Sequence, residues 1–441
     1  MKNTHLGRRG FLKRTAAGFV GAGLAAGTTW AKGNKPQEAN PVRIREYRRL
    51  GRTGFQVSDI GAGSITDEGV MAFALDAGVN YIDTAEQYPG HHKLLASVLK
   101  GRDRKKLFIS TKLKINPEEE NTKAFFLKRA RKALEELKQE YVDCLMIHMA
   151  ETVDMLKTEG FHAAIQELKA EGRVKYTGVS NHGSFWYRDP AETMENVLLA
   201  AAEDGRFDVF LLAYNFLKMD QGERVLQACR EKKIGTVLMK STPIAIYYSL
   251  KTRIEEMEKE GRDIHPLYAD GLKRYQEKLA RADAFVKQHN LQNPEEIKDA
   301  AIQFVLSNPD VNTVACLAKT YDEMERFVVL SGTRLTSVSL ARLDAYRKGC
   351  GDLYCRHACG VCEPSCPKGV PVNTILRYNH YAALGRERDA MVKYASLKTL
   401  RGDSCRDCPG LCESACPFGV PAQGMLLAAH KFLTLSIQSD V

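Results

Sequence analysis

The sequence predicts an α/β protein in which a (β/α)8 TIM barrel precedes a mainly helical module built on repeated cysteines. Two observations carry that expectation. Between Arg45 and about Lys348, eight short β-rich runs alternate with stretches of helical periodicity, the pattern of a parallel sheet that closes on itself. Beyond them, nine of the twelve cysteines crowd between Cys350 and Cys416. A chain of 441 residues has room for one large domain and a smaller one, and 44% hydrophobic with 27% charged residues is ordinary globular composition.

The first element is an address rather than part of the fold. Residues 1–14 carry Lys2, Arg8, Arg9, Lys13 and Arg14 and no acid, whereas residues 15–31 ("TAAGFVGAGLAAGTTWA") are uncharged and Gly-rich. This is the charged-then-apolar order of a secretory signal. "RRGFLK" resembles the twin-arginine export motif, with Gly7 where Ser or Thr is commoner. The resemblance implies export of a folded chain, commonly with its cofactor already inserted, to the periplasm or beyond. Cleavage after Ala31 is one outcome, although Trp30 makes a poor small-x-small site. An uncleaved anchor and a disordered basic tail are the alternatives. A linker over 32–44 follows. The basic segment supplies about half of the net charge of +10, so the body carries only a mild excess, and no nucleic-acid partner is expected. No run of 18 apolar residues occurs, so no membrane span is expected apart from the signal segment.

The barrel is expected over 45–348. Its strands are "VSDIGAG", "VNYIDTA", "KLFISTK", "VDCLMIH", "VKYTGVS", "FDVFLLAY", "IGTVLMK" and "VNTVACL", with helical segments such as "NTKAFFLKRARKALEELKQ" between them. An open doubly wound sheet is the alternative, but no GxGxxG follows the first run. Active sites of such barrels lie at the C-terminal strand ends. There the sequence puts Asp83 with Tyr88 five residues on, then Lys112, His148, Ser180 with Asn181, Tyr214 with Asn215, and Lys240. A free phenol has a pKa of about 10; an adjacent ammonium lowers it, and a carboxylate fixes the ammonium. A histidine nearby orients a carbonyl oxygen or shares the proton. A tyrosine so placed protonates an oxygen while hydride arrives from elsewhere. No side chain donates hydride, so a nicotinamide is required.

With these residues in view, "RRLGRTGFQVSDIGAG", "GVNYIDTAEQY", "ISTK", "MIH" and "GVSN" resemble an aldo/keto reductase over roughly residues 45–345. The resemblance implies a tetrad of Asp83, Tyr88, Lys112 and His148. Tyr88 is then the general acid, Lys112 with Asp83 tunes it, and His148 orients the substrate carbonyl. It also implies NADP(H), or NAD(H), stretched across the strand ends. Ser180 and Asn181 match the nicotinamide-amide contacts, Tyr214 and Lys240 stand among the cofactor-binding positions, and Lys319 and Thr320 are candidates for the adenosine 2′-phosphate. Some positions depart from the pattern. Leu211 replaces the usual glutamine, Lys240 replaces the aromatic that stacks on the nicotinamide, and Arg326 falls one residue out of spacing. Nicotinamide chemistry is therefore better supported than tight NADPH binding. The long connection over 241–268 reads as a lid or a plain surface insertion, and Trp186 and Tyr187 as further pocket lining.

The back end repeats itself. "CRHACGVCEPSCPKGVPV" from Cys355 and "CRDCPGLCESACPFGVPA" from Cys405 align at Cys355/Cys405, Cys362/Cys412, Cys366/Cys416 and Gly369/Gly419. Closely spaced cysteines ending in Cys-Pro are the pattern of [4Fe–4S] ligation. The units resemble two-cluster bacterial ferredoxin segments but depart from them by one residue each. That resemblance implies a crossed arrangement: Cys355, Cys359, Cys362 and Cys416 on one cluster, Cys366, Cys405, Cys408 and Cys412 on the other. A single cluster is also open. Disulfides and zinc are the competing readings, the first suited to domains too small for a core, the second to separated C-x2-C knuckles. Cys144, Cys229 and Cys316 read as small buried hydrophobes, and Cys350 as a bystander. The segment "NTILRYNHYAALGRERDAMVKYASL" is expected to be helical and to pack this module over 349–441.

The whole reads as an exported oxidoreductase that interconverts a carbonyl and an alcohol, coupled through iron–sulfur clusters to a redox partner protein. A non-catalytic electron-transfer or assembly subunit is the alternative, and the intact tetrad counts against it. A cytoplasmic NADPH reductase is the third reading, and the export motif counts against that.

Overall fold

The computed structural model describes residues 42–182, 192–243, 269–357, 359–383 and 387–434. The export segment, Trp186 and Tyr187, and residues 244–268 of the long connection lie outside the described residues, together with the expectations placed on them.

The chain enters through an antiparallel pair, β1 (Tyr47–Arg49) and β2 (Gln56–Ser58). Leu50, Phe55 and Val57 from this hairpin pack with Tyr81, Phe108 and Val209 and close the bottom of the barrel. The run "VSDIGAG", expected as one strand, is divided between β2 and β3 (Ile60–Ala62). Asp59 breaks it. Its buried carboxylate accepts from Ser331 Oγ at 2.6 Å and Gly332 N at 2.7 Å, which ties the entry of the chain to the turn after the helix Tyr321–Leu330.

Seven further strands follow: β4 (Tyr81–Asp83), β5 (Phe108–Lys114), β6 (Val142–His148), β7 (Val174–Asn181), β8 (Val209–Ala213), β9 (Gly235–Met239) and β10 (Thr313–Cys316). With β3 they form a closed parallel barrel in sequence order, β10 pairing back onto β3. The (β/α)8 expectation is the observed architecture. Each strand is buried on both faces, so it reads as an apolar run rather than an alternation. Val209 and Leu211 face the interior, while Phe210 and Leu212 pack under the helices. The helix Lys123–Leu137 shows the complementary pattern: Phe126, Leu127, Ala130, Ala133, Leu134 and Leu137 are its buried stripe, and Thr122 caps it.

A further core crosses residue 348. Tyr275 and Leu279 of the helix Ala269–Gln288, Leu343 and Tyr346 of Ser337–Cys350, and Ile375 and Leu426 of the C-terminal helices belong to one apolar cluster. This seats the cysteine repeats on the barrel, and polar contacts show where. Lys218 Nζ donates to His357 O at 2.7 Å, Lys240 Nζ lies 5.6 Å from the Tyr381 ring centre, and Lys398 pairs with Glu118. The barrel partners Lys218, Lys240 and Glu118 follow β8, β9 and β5, so the repeats cover the C-terminal mouth. Among the described residues no helix is long and apolar enough to cross a membrane.

The two repeats run in register without an insertion. Helices Val372–Ala383 and Ala422–Leu433 begin at equivalent places. Gly360 and Gly410 share left-handed φ values of +65° and +75°, which a side chain would strain. Asn373 N donates to Glu363 Oε1 at 2.7 Å and Gln423 N to Glu413 Oε1 at 2.9 Å. The odd cysteine spacing is thus one thiol moved along a shared turn: Cys359 directly precedes Gly360, while Cys408 stands two residues before Gly410.

Candidate active site and thiol pockets

Strand alternation aims the tetrad. Asp83 is two residues beyond inward-facing Tyr81, Lys112 four beyond Phe108, and His148 two beyond Met146, so all three project into the barrel mouth. Lys112 is fully buried. Its Nζ donates to Asp83 Oδ2 and to Thr84 O, each at 2.7 Å, and is hydrogen-bonded to Tyr88. The Tyr88 ring stands edge-on to His148, with centres 5.9 Å apart. Burial works against the charge on Lys112, but Asp83 and Tyr88 outweigh it and hold the ammonium above its ordinary pKa. Burial also pushes the Asp83 carboxyl up, against the pull of Lys112. With three oxygens around one nitrogen, the pair stands ionised.

His148 is neutral: burial, then Lys112, Lys114 and Lys393, push its pKa well below the ordinary value. Its Nδ1 lies 2.5 Å from Gln87 Oε1, and Gln87 Nε2 donates to Glu86 Oε1 at 2.6 Å. The amide oxygen therefore takes the Nδ1 proton, which leaves Nε2 as an acceptor.

The other expected contacts divide. Ser180 Oγ accepts from Met149 N at 2.9 Å, and Asn181 Nδ2 donates to Ala150 O at 2.7 Å. Both hold the turn in which Met149 adopts φ +57°, directly after His148. Lys240, at φ +58°, donates to His182 O at 3.4 Å. Tyr214 is not at the mouth. Alternation along β8 turns it outward, where its ring packs 5.7 Å from Phe304 and its hydroxyl donates to Glu223 at 3.2 Å. Neighbouring Asn215 is the residue that reaches Lys240 O, at 3.1 Å. Thr320 caps the helix Tyr321–Leu330 by accepting from Glu323 N, and the Glu323 carboxylate accepts from Lys319 N at 2.6 Å, one residue before the cap. Arg326 is held by Asp299 at 2.6 and 2.7 Å.

Two residues at the site escaped the sequence reading. Gln87 sets the tautomer of His148. His182 lies 5.7 Å from His148, ring to ring, with its Nε2 buried and without a hydrogen-bond partner. Buried polar atoms rarely go unpaired, so His182 Nε2 and the similarly orphaned Asp83 Oδ1 fit a mouth that receives a polar ligand such as a nicotinamide.

All twelve cysteines are free thiols. Cys144, Cys229, Cys316 and Cys350 sit in apolar cores. Cys355, Cys359, Cys362 and Cys416 line one small cavity. Cys405 and Cys412 lie within electrostatic reach of each other and of Cys366 and Cys408. Cys416 thus lies with thiols of the first unit and Cys366 with those of the second, and Cys362 is within electrostatic reach of Cys412 as well. Asn373 Nδ2 donates to Cys355 Sγ at 3.2 Å and Val370 N to Cys366 Sγ at 3.3 Å. Burial pushes the Cys355, Cys405 and Cys412 thiols up to about 12. Among the described residues no three His, Cys, Asp or Glu side chains are gathered as a single metal ion requires. Lys218, Arg356 and Arg377 are buried next to the first thiol group, and among the described residues none of the three forms an ion pair. Buried cations need anionic neighbours, and thiolates carrying a cluster fit that need.

Residues 65–348 match the aldo/keto reductase family, a match that ends before the first cysteine repeat. L-galactose dehydrogenase from Arabidopsis thaliana is 26% identical over 322 residues, 67% of this chain and 90% of that protein. D-threo-aldose 1-dehydrogenase from a Pseudomonas species is 25% identical over 275 residues, 56% of this chain and 77% of that protein. Methylglyoxal reductase DkgB from Escherichia coli O157:H7 is 34% identical over 109 residues, 24% of this chain and 40% of its own. Against that reductase and an uncharacterized oxidoreductase of Bacillus subtilis the chain spans less than half of the relative's length, 40% and 48%. Of solved structures, an aldo-keto reductase from Bacillus halodurans in its holo form aligns with TM-score 0.49 and 22% identity, over 68% of this chain and 95% of that one. A family match over more than half of its residues makes this chain a member of the aldo/keto reductase family.

Proposed function

We propose that this protein interconverts a small carbonyl compound and its alcohol at the barrel mouth and exchanges the electrons through two [4Fe–4S] clusters held by its C-terminal repeats. The observation that carries this is the position of the repeats: they cover the strand ends that bear Asp83, Tyr88, Lys112 and His148. NAD(H) or NADP(H), when bound, takes or supplies the hydride that no side chain can. In the oxidative direction the phenolate oxygen of Tyr88 takes the proton of the substrate hydroxyl as the C–H bond breaks, with the His148 ring standing beside it. In the reductive direction the Tyr88 hydroxyl returns that proton to the carbonyl oxygen. Lys112 stabilises the phenolate, and Asp83 keeps Lys112 charged and in place.

Cys355, Cys359, Cys362 and Cys416 would hold one cluster, and Cys366, Cys405, Cys408 and Cys412 the other. Two one-electron carriers match the two electrons of one hydride, with one proton released, and a redox partner protein completes the circuit. Loading before twin-arginine export reconciles reduced thiols with a periplasmic destination. The names of the aldose and galactose dehydrogenases among the relatives make sugar-like alcohols the first substrates to screen.

The test is anaerobic purification with iron and acid-labile sulfide counts, followed by turnover of wild type and Tyr88→Phe. About eight irons per chain are expected, with at least a ~100-fold loss of turnover in the variant at unchanged iron content. Undiminished turnover would sink the tyrosine assignment, and a chain without iron the cluster assignment.

A further inference from the structure

The two thiol groups stand in different electrostatic surroundings, and the register of the repeats makes the difference legible. Arg356 aligns with Arg406, and Arg377 with Leu427. Arg356 is 6% and Arg377 1% exposed, whereas Arg406 is exposed and Leu427 is buried and apolar. Lys218, also 6% exposed, reaches in from the barrel loop after β8 and has no counterpart in the second unit. Its Nζ is anchored on His357 O at 2.7 Å, and its charge couples to Cys359, Asp220 and Cys355. Arg377 Nη2 donates to Cys355 O at 3.3 Å. Arg356 lines the first thiol cavity, with its guanidinium 4.1 Å from the Phe418 ring centre.

Cations near the second group are of another kind. Arg274 donates to Glu413 at 2.9 Å, and Lys278 pairs with Asp352 at 3.2 Å. Lys368, which couples to Cys405, is exposed and donates to Ser404 O at 2.7 Å. The first group thus has buried cations that form no ion pair among the described residues, with Asp220 acting on Lys218 and Glu363 on Cys355 and Cys362 only at a distance, and the second has exposed or neutralised ones.

We infer that Lys218, Arg356 and Arg377 hold the cluster at Cys355, Cys359, Cys362 and Cys416 at a higher reduction potential than the cluster at Cys366, Cys405, Cys408 and Cys412. The first electron delivered to the protein then lodges on the barrel side. This rests on the cluster reading above. One-electron reduction takes a [4Fe–4S]2+ core to [4Fe–4S]+ and adds one negative charge to the site. Buried cations stabilise that charge at low effective dielectric, while exposed or acid-paired cations are screened. These three are positioning residues for the electron, not catalytic ones, and Lys218 gives the barrel a direct hand on the potential.

The experiment is a reductive titration of the anaerobically purified full chain with dithionite, followed by electron paramagnetic resonance after iron and sulfide counts. Two reduction steps at separate potentials are expected. Arg377→Leu, which imports the residue of the second repeat, and Lys218→Met should each lower the upper step and leave the lower one in place. Arg377→Lys should restore it. Two intact clusters reducing at one potential, or steps that shift together or not at all, overturn this inference alone. Fewer than two clusters overturn the proposed function first and this inference with it. Where one variant loses iron, the wild-type steps and the other variant still decide between these outcomes.

Discussion

Lys112 is an ammonium with no access to water, and its charge is balanced by groups found at one spot in the fold: Asp83 Oδ2, Thr84 O and Tyr88. Lys112→Met leaves the Asp83 carboxylate buried and alone, a loss of about 3–5 kcal/mol. The measurement is the urea midpoint, and turnover should vanish as well. Lys112→Met combined with Asp83→Leu should recover most of the stability and none of the activity. A double variant no more stable than Lys112→Met would show that the pair contributes packing rather than charge balance. Asp83, Lys112 and His148 were legible because each ends an apolar run at the C-terminal side of a strand. Gln87 and His182 were not, because a lone polar residue in a loop has no pattern until the fold brings it beside His148.

At the scale of the element, the bottom of the barrel depends on the turn between β1 and β2. Gly51 has φ +46°, and a Cβ there would stand 2.3 Å from Gly235 N. Gly51→Ala should cost at least about 1–3 kcal/mol of stability, seen in urea unfolding, with turnover per folded molecule unchanged because the tetrad is at the other end. Gly54→Ala is the control. It shares a positive φ of +74°, but its Cβ would meet nothing within 4 Å, so its loss should be the smaller. Equal losses would mean that backbone strain, not the close approach to β9, sets the requirement. The eight strands were legible from composition because burial on both faces selects the same residues everywhere. The break at Asp59 was not, since its cause is a hydrogen bond to Ser331, 272 positions away.

For the molecule as a whole, buried neutral histidines set the response to acid. His91, pinned between Thr84 Oγ1 at 2.8 Å and Ile65 O at 3.0 Å, has its pKa pushed by burial down to about 4. His148 and His162 are lowered for the same first reason. Above pH ~6.5 such a group is neutral in both states and costs nothing. As pH falls from there toward 4, the unfolded chain takes the proton first, so stability is lost across that window. His91 alone accounts for on the order of 3 kcal/mol. Urea unfolding measured from pH 7 to 4 should show the decline, and His91→Gln should flatten it; a slope unchanged in that variant would mean that His91 is not buried as described.

The sequence by itself determined what depends on neighbours along the chain: eight strand-then-helix units, the residue type that closes each strand, and a cysteine unit written twice. These are local properties, set by side-chain periodicity and turn chemistry. Only the tertiary structure decided which nitrogen of His148 carries the proton, through Gln87, and that His182 stands beside it. It also decided that the repeats rest on the barrel mouth, with Lys218 of one part buried against the thiols of the other. Each of these turns on contacts between residues far apart in the chain, where burial and a hydrogen-bond partner set the energy and no short stretch of sequence encodes either.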